Sequence, residues 1–261
     1  MPEFATVVYS TQGPVARISI NRPDKRNALN VEVMRDLRGA FAAAKDDPDV
    51  RVAVLTGEGD QAFSAGGDLG GFTAEQSKVE QHLLRGELPR LFEDMRRLGK
   101  PVVARVQGHA LAGGFGLMCA CDIVIASEAA TFGMPEINMG LWPFIITATV
   151  TRKIAPGKAL ELMMTGERLD AAAAERIGAV NSVVPAGELD AAVDAMCATL
   201  ASRSPLVMRL GKDSFYAAED MSLPDGLAYL HGMLGICLET EDVVEGVTAF
   251  FQKRDPVWKG R

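Results

Sequence analysis

The stretch Ala110-Leu-Ala-Gly-Gly-Phe-Gly116 ends an apolar run in consecutive glycines, and Phe63-Ser-Ala-Gly-Gly-Asp-Leu69 does the same upstream. A glycine lets its backbone N–H approach a ligand closely because it carries no Cβ. Two such amides that converge from different turns form an oxyanion hole, which stabilises negative charge on an oxygen atom. A third stretch, Phe132-Gly-Met-Pro-Glu136, offers a carboxylate for proton transfer. Together the three stretches predict a catalytic site.

The first two-thirds of the chain alternates between strand-like and helix-like segments. Strand-like runs bounded by Gly, Pro, Asn or Asp fall at residues 6–9, 15–20, 50–56, 102–106, 123–126 and 181–184. Between them, Asn30 is suited to cap one helix, and residues 75–98 form a second helical pattern that Gly86 and Pro89 should bend. This alternation predicts an α/β fold with largely parallel sheets buried between helices.

After Gly187 the pattern changes to helices alone, at residues 189–202, 205–218, 224–238 and 242–253. We therefore expect a core at 1–187 and a helical C-terminal region at 188–261, joined without a linker in one fold. The third of these helices carries a leucine stripe that must be buried, formed by Leu227, Leu230, Leu234 and Leu238. The sequence leaves open whether the stripe packs on the core or on another subunit.

The composition argues against polymeric or membrane partners. The 261-residue chain has 27 Lys and Arg against 34 Asp and Glu, a formal net charge of −7, so it offers no surplus of cations for nucleic acid. The N-terminus lacks the features of a signal peptide, and uncharged runs such as 137–151 are shorter than the ~20 residues of a membrane-spanning helix. We expect a cytoplasmic protein that does not bind a membrane.

Metal and redox cofactors are not expected. The three histidines and four cysteines are scattered, without the spacing of a metal site or a disulfide framework. No Gly-x-Gly-x-x-Gly opens a helix after a strand, as a nicotinamide or flavin site would require. We therefore predict no metal and no separate cofactor.

Seven stretches, in their order and spacing, resemble the enoyl-CoA hydratase/isomerase or crotonase superfamily across essentially the whole chain. They are Ile20-Asn-Arg-Pro-Asp-Lys-Arg-Asn-Ala-Leu-Asn30, Ala62-Phe-Ser-Ala-Gly-Gly-Asp-Leu69, Lys100-Pro-Val-Val-Ala104, Gly108-His-Ala-Leu-Ala-Gly-Gly114, Cys121-Asp-Ile-Val-Ile-Ala126, Phe132-Gly-Met-Pro-Glu-Ile-Asn-Met-Gly140 and Ala249-Phe-Phe-Gln-Lys-Arg254. The resemblance implies a ClpP/crotonase-like spiral of ββα units, with C-terminal helices that assemble a homotrimer or a dimer of trimers. It also implies an acyl-CoA thioester as substrate.

The resemblance assigns three residues to the chemistry. The backbone amides of Gly67 and Gly113 would hold the thioester oxygen as it becomes an enolate, and each such donor stabilises the transition state by about 3 to 4 kcal/mol. Glu136 would act as the acid/base, since a carboxylate in an apolar pocket has a raised pKa and can both take and return a proton. That pocket would include Trp142.

The resemblance also implies where coenzyme A would lie, as part of the substrate. Lys25 and Arg26 would meet its 3′-phosphate or pyrophosphate. The adenine and pantetheine path would be lined by Ala28, Ala65, Gly66, Asp68 and Leu69. Asp68 is interpreted more readily as a residue that fixes the glycine turn than as a proton carrier. Phe250 and Lys253 would contribute from a neighbouring subunit.

One departure from the family pattern decides between reactions. Hydratases of this family usually carry a second glutamate three residues after the oxyanion glycine, where this chain has Gly116. Moving a double bond from the 3,4 to the 2,3 position needs a single base, so the departure favours an isomerase over a hydratase. A second carboxylate from residues 75–98 would restore hydration. A decarboxylase or C–C lyase and a non-catalytic acyl-CoA binder remain the alternatives.

Other polar side chains are weaker candidates. His109 precedes the glycine turn, but a single histidine there is more often structural. His82, Glu80 and Glu87 could reach the site from above, although an exposed helix face is the favoured interpretation for them. Ser64 lacks the Gly-x-Ser-x-Gly turn of a nucleophilic serine and has no assignable histidine partner.

Overall fold

A computed structural model describes residues 2–68 and 77–261. Two sequence predictions involve residues outside this range: Leu69 as part of the coenzyme A path, and the beginning of the helical pattern at 75–98.

The described residues contain ten strands in two sheets. They are β1 (Val7–Gln12), β2 (Val15–Ile20), β3 (Val52–Gly57), β4 (Ala62–Ser64), β5 (Val102–Val106), β6 (His109–Leu111), β7 (Ile123–Ser127), β8 (Thr131–Gly133), β9 (Arg168–Asp170) and β10 (Ser182–Val184). The larger sheet has the order β1-β2-β3-β5-β7-β10, and the smaller has the order β4-β6-β8-β9. All neighbours pair in parallel except β1 with β2 and β8 with β9, which confirms the prediction of largely parallel sheets.

Eleven α-helices lie in the same described ranges. They are α1 (Val31–Asp46), α2 (Lys78–Arg85), α3 (Glu87–Arg96), α4 (Gly113–Cys119), α5 (Phe144–Lys153), α6 (Pro156–Thr165), α7 (Ala171–Arg176), α8 (Leu189–Ala201), α9 (Pro205–Ala218), α10 (Leu223–Leu238) and α11 (Glu241–Gln252). Asn30 caps α1 as predicted, because its side chain accepts a hydrogen bond of 2.8 Å from the Val33 N–H. The helical pattern at 75–98 breaks at Gly86, which separates α2 from α3, whereas Pro89 lies within the first turn of α3.

The chain winds as a spiral because consecutive strands alternate between the two sheets. β3 enters the larger sheet and β4 the smaller, and α2 and α3 follow; β5, β6 and α4 repeat this order, as do β7, β8 and α5. Each turn therefore adds one strand to each sheet before a helix returns the chain. The strands of the smaller sheet are only three residues long, and sequence analysis missed all four of them.

The main core lies between the sheets and the helices of the spiral. Its largest fully buried side chains include Phe41, Phe63, Phe115 and Phe132. A second cluster covers the other face of the larger sheet, where Val52 and Val54 of β3 meet Val193 of α8. These two valines alternate with Ala53 and Leu55, which face the main core, so β3 is buried on both faces.

The C-terminal helices form as predicted, with ends within two residues of the predicted ones. Their leucine stripe is not buried against the core, since Leu227 is 61% exposed and Leu234 is 54% exposed. Of the two arrangements that the sequence left open, packing on the core of the same chain is therefore wrong. Within the described ranges, no helix has both the length and the apolar character needed to cross a membrane.

Candidate active site

The three stretches that the sequence singled out meet at one edge of the smaller sheet. Strands β4, β6 and β8 are adjacent and parallel, so their carboxyl ends lie side by side. Gly66 and Gly67 follow β4, Gly113 follows β6, and Glu136 follows β8. This edge of a parallel sheet is where α/β proteins commonly place their ligands.

The first glycine turn is held by a backbone ladder to the segment before α1. The Leu29 N–H donates to the Gly66 carbonyl at 2.7 Å, and the Asp68 N–H donates to the Leu29 carbonyl at 2.9 Å. In the described residues the Gly67 N–H, which lies between these bonds, has no hydrogen-bond acceptor. It is therefore available to a ligand.

The two glycine turns touch each other, and this contact explains why residue 66 is glycine. Gly66 has a φ of +96°, and a Cβ placed on it would lie 2.7 Å from the Ala112 Cβ and 3.1 Å from the Gly113 N. A Cβ placed on Gly113 would in turn lie 3.6 Å from the Gly67 N. The amides of Gly67 and Gly113 are thus neighbours in space, although 46 positions separate them in the sequence.

The second turn holds an unusual backbone conformation. Ala112 adopts φ 51° and ψ −127°, a region that costs a residue with a Cβ about 1–3 kcal/mol. The Ala112 N–H donates to the Gly133 carbonyl at 2.9 Å, which ties the turn to β8. Gly113 begins α4, so its N–H has no partner within the helix, and no other described group accepts from it. Two unpaired amides therefore lie at this edge.

Glu136 lies in a short 3₁₀ helix, Pro135–Met139, directly after β8. Burial raises the pKa of its carboxyl group, and a hydrogen bond from its own backbone opposes this only in part. Its Oε2 atom is buried and has no hydrogen-bond partner among the described residues. A carboxylate with an unused acceptor and a raised pKa is suited to accept a proton from a substrate.

The surroundings of Glu136 are mostly apolar. Phe132 and Met134 are fully buried beside it in the chain, and Trp142 packs partly buried against the main core. Leu141, which precedes Trp142 in the chain, is 50% exposed.

Gly116 directly contacts an isoleucine from α5. A Cβ placed on Gly116 would lie 2.1 Å from Ile146 Cγ2 and 2.3 Å from Ile146 Cβ, distances that are too short for non-bonded carbon atoms. The Thr149 hydroxyl, one turn further along α5, donates to the Gly116 carbonyl at 3.1 Å. Ile146 therefore occupies the space that any side chain at position 116 would need, and a carboxylate cannot project from there.

Residues 10–261 match the sequence model of one protein family, which is described as enoyl-CoA hydratase/isomerase. The chain belongs to the enoyl-CoA hydratase/isomerase family. Enzymes of this family act on acyl-CoA thioesters. The resemblance seen in the sequence is thereby confirmed.

Relatives and solved structures agree with this membership. The probable mitochondrial enoyl-CoA hydratase of Dictyostelium discoideum is 34% identical and covers 99% of this chain and 92% of its own length. The carnitinyl-CoA dehydratase of Salmonella typhimurium is 37% identical, with 95% and 96% covered. The crystal structure of an enoyl-CoA hydratase from Bacillus anthracis superposes with a TM-score of 0.93 at 31% identity, over 98% of this chain and all of that one. The predicted crotonase-like fold is confirmed.

The residues that we expect to meet coenzyme A lie in two adjacent segments, the first glycine turn and the segment before α1. Lys25 and Arg26 are exposed in a short turn, and the Arg26 carbonyl accepts from the Ala65 N–H at 2.9 Å. Ala28 and Ala65 are half-buried on the same pair of segments. The structure thus places the backbone of Arg26 beside the first glycine turn, with both basic side chains exposed to solvent.

Two residues that sequence reasoning overlooked fix this arrangement. The Arg22 guanidinium donates to Asp68 at 2.9 Å and to the Ala28 carbonyl at 2.8 Å. Asn27 is fully buried and donates to the Ala62 carbonyl at 2.7 Å. Asp68 is therefore tied to the turn itself. The sequence held a signal for Asn27, because an Asn side chain in a turn often hydrogen-bonds nearby backbone groups. Its Oδ1 does accept a hydrogen bond of 3.0 Å from the Arg22 N–H.

Phe250 and Lys253 lie far from the glycine turns and from Glu136 in the sequence. They belong to the end of α11, which packs against α10, and Phe250 is 78% exposed. Their predicted contribution from a neighbouring subunit stays a prediction.

The weaker candidates have other partners. His109 Nδ1 lies 2.6 Å from the Thr131 hydroxyl, and the Ser64 hydroxyl donates to the Asn27 carbonyl at 2.8 Å. Glu80 completes a capping box with Ser77 at the start of α2, and His82 is exposed.

The expectation of an exposed helix face is wrong for Glu87. This side chain is only 6% exposed because it pairs with Arg38 of α1 at 2.9 Å, and Arg35 and Arg90 lie 3.4 Å from it. Its role is to join α3 to α1.

Proposed function

We propose that this protein is an enoyl-CoA isomerase of the crotonase type, which moves a double bond from the 3,4 to the 2,3 position of an acyl-CoA thioester. The proposal rests on two features of the site taken together. The Oε2 atom of Glu136 is buried and has no hydrogen-bond partner among the described residues. Ile146 fills the space that a side chain at position 116 would occupy. Among the described residues, this edge therefore combines the Glu136 carboxylate, which follows β8, with an aliphatic side chain of α5 in the space next to position 116.

The proposed reaction balances with one proton carrier. The Glu136 carboxylate takes a proton from C2 of the 3-enoyl thioester, and the electron pair moves onto the carbonyl oxygen as an enolate. The amides of Gly67 and Gly113 donate to that oxygen, each worth about 3 to 4 kcal/mol in the transition state. The protonated Glu136 then returns the proton to C4, the electrons form the 2,3 double bond, and the carboxylate is regenerated.

The raised pKa of Glu136 supports both halves of this cycle. A carboxylate of ordinary pKa is a weak base toward carbon, whereas a group titrating closer to neutrality takes and returns a proton with less penalty. Burial is the main cause of the shift. The acidic limb of the pH–rate profile should therefore lie above the ordinary pKa of a glutamate.

Hydration of a 2-enoyl-CoA is the second candidate, and the names of the relatives favour it. The Dictyostelium relative is named an enoyl-CoA hydratase, and a relative from Syntrophomonas wolfei that is 34% identical is named a crotonyl-CoA hydratase. Hydration requires one group to activate water while carbon is protonated, and position 116 offers none. A hydratase would need its second group from elsewhere, such as a carboxylate of residues 75–98.

We extend the proposal to the setting of the reaction. Coenzyme A would enter only as part of the substrate, with its phosphates at Lys25 and Arg26, and the reaction would need no further cofactor. The exposed leucine stripe of α10 and the exposed Phe250 support a homotrimer or dimer of trimers, in which Lys253 reaches a neighbour's site. Fatty-acid catabolism in the cytoplasm would be its metabolic role.

The test is to give the purified protein crotonyl-CoA and, separately, a medium-chain 3-enoyl-CoA while following the absorbance of the conjugated thioester. The proposal expects a rise with the 3-enoyl substrate and no fall with crotonyl-CoA. A fall with crotonyl-CoA would establish hydration instead. Silence with both substrates despite thioester binding would favour decarboxylation, C–C cleavage or a non-catalytic binder.

A further inference from the structure

A large cavity lies away from the candidate active site. Its volume is about 1270 Å³, and it is formed where the segments before β3 and β5 meet α3, α5 and α9. It shares no lining residue with the glycine turns, with Glu136 or with the Lys25–Arg26 turn. None of the residues of α10 or α11 lines it, so it is also separate from the exposed leucine stripe.

The cavity is positively charged in a protein whose net charge is −7. Eight basic and four acidic side chains line it. Part of this charge is already neutralised: Arg152 pairs with Asp220 at 2.6 Å, Arg209 lies 3.7 Å from Asp213, and Arg96 pairs with Glu219 at 2.8 Å. The Lys100 ammonium donates to three backbone carbonyls at the end of α1.

Four cations of the lining have no such partner. Among the described residues, no hydrogen-bond acceptor or carboxylate lies within bonding distance of the side chains of Lys45, Arg51, Arg97 and Arg203. They line one cavity although they come from four different parts of the chain. Unpaired cations that converge on one space are the arrangement that binds anions bearing several charges.

Arg51 shows the strongest need for an acceptor. Its Nη1 atom is buried and lacks a hydrogen-bond partner among the described residues, which is costly for a charged group. The nearby carboxylate of Asp242 already accepts from the Ser204 hydroxyl and from the Lys259 and Gly260 amides. Because Arg51 also lines the cavity, an anion there would lie beside a guanidinium group that has no carboxylate partner of its own among the described residues.

We propose that this cavity is a binding site for a small polyphosphate anion, such as an inorganic triphosphate chain or the triphosphate of a nucleotide. A chain of phosphates carries several negative charges along its length, so it can contact more than one of these cations at once. Guanidinium groups favour such ligands because they form paired, charge-assisted hydrogen bonds to phosphate oxygens.

The experiment is isothermal titration of the full chain with sodium tripolyphosphate and, separately, with ATP at low ionic strength. The proposal expects saturable binding of one anion per chain that weakens as NaCl is added. The double variant Arg97→Ala/Arg203→Ala removes two exposed guanidinium groups and should weaken binding tenfold or more. Much tighter binding of ATP than of tripolyphosphate would show that the nucleoside is also recognised.

Two controls keep the result specific. Arg176→Ala removes an exposed arginine that does not line the cavity, and it should leave the dissociation constant unchanged. Lys25→Ala/Arg26→Ala tests whether the anion occupies the expected coenzyme A path instead. The proposal is wrong if neither anion binds, if Arg97→Ala/Arg203→Ala binds as the parent does, or if binding is lost only in Lys25→Ala/Arg26→Ala.

Discussion

Replacing Gly113 by alanine should separate folding from catalysis. A Cβ at Gly113 would have its nearest neighbours at 3.6 Å from the Gly67 N, 3.6 Å from Leu29 Cδ1 and 3.8 Å from the Gly66 Cα. These are ordinary van der Waals distances, so the protein should fold normally. The new methyl group would nevertheless lie only 3.6 Å from the Gly67 nitrogen. An oxygen that accepts a hydrogen bond from this amide would have to sit about 2.9 Å from the same nitrogen, so we expect the methyl group to crowd it.

The size of the effect follows from what the methyl group displaces. Loss of one oxyanion-hole donor lowers kcat by about 10²–10³-fold, or about 2.7–4 kcal/mol. The free energy of unfolding should stay the same or rise, because alanine in a helix is more favourable than glycine by up to about 1 kcal/mol. Gly113→Ala should therefore combine an unchanged or raised melting temperature with a kcat reduced at least a hundredfold.

The matched variant is Gly66→Ala, which should fail in the opposite way. Its Cβ would clash at 2.7 Å with the Ala112 Cβ and at 2.8 Å with the Leu111 carbonyl, from a φ of +96°. Overpacking of this kind costs about 1–3 kcal/mol or more, which lowers the melting temperature of a chain this long by several degrees. Thermal unfolding and the 3-enoyl-CoA assay measure both variants. A folded Gly113→Ala protein that keeps kcat within twofold would refute the proposed oxyanion hole.

Three further results are expected. Gly116→Ala should destabilise the fold by about 1–3 kcal/mol through its clash with Ile146, whereas Gly211→Ala, in the open middle of α9, should stabilise it by up to about 1 kcal/mol in the same urea denaturation assay. Glu136→Gln should melt at a higher temperature than the parent protein at neutral pH. Because the pKa of Glu136 is raised in the folded state, the parent loses stability as the pH rises through that pKa, and glutamine does not. The difference in melting temperature should vanish well below pH 4.5, where Glu136 is protonated in both the folded and the unfolded chain. Burial opposes ionisation of Asp242, but its hydrogen bonds, led by the one from Ser204, lower its pKa below that of the unfolded chain. The part of its stabilisation that depends on its charge should therefore be present at neutral pH and lost on acidification through the folded-state pKa. Asp242→Ala should lose about 2–3 kcal/mol at pH 7 and less in acid, where only the cost of the unsatisfied hydrogen-bond partners remains, as urea titrations at the two pH values would show.

The sequence predicted the elements that carry a long or bounded pattern. Strands β2 and β5 begin and end at the predicted residues, because each is a run rich in valine and isoleucine that turn-forming residues flank. The smaller sheet was missed because a three-residue strand has no detectable period. The sequence nevertheless held an indirect sign of three of these strands, because the two glycine motifs and the Glu136 motif follow directly after β4, β6 and β8.

The sequence also predicted which residues of the site carry its chemistry, but it did not predict the tertiary contacts around them. Glycine at positions 66 and 113 predicted close backbone approach, and the structure has that approach. The contact of Ile146 with Gly116 joins residues 30 positions apart through the packing of α5 on α4, which no local pattern specifies. The burial of Glu87 was unpredictable for the same reason, because it depends on arginines of α1.

The central claim is that Glu136 alone transfers the proton, and the most direct measurement compares Glu136→Gln with the parent in two assays. The first is the single-turnover rate with a 3-enoyl-CoA, and the second is the dissociation constant for a saturated acyl-CoA. The account predicts a rate lowered by about 10²–10⁴-fold, with thioester affinity within a few-fold of the parent. A variant that keeps its rate within tenfold would contradict the assignment of Glu136 as the acid/base.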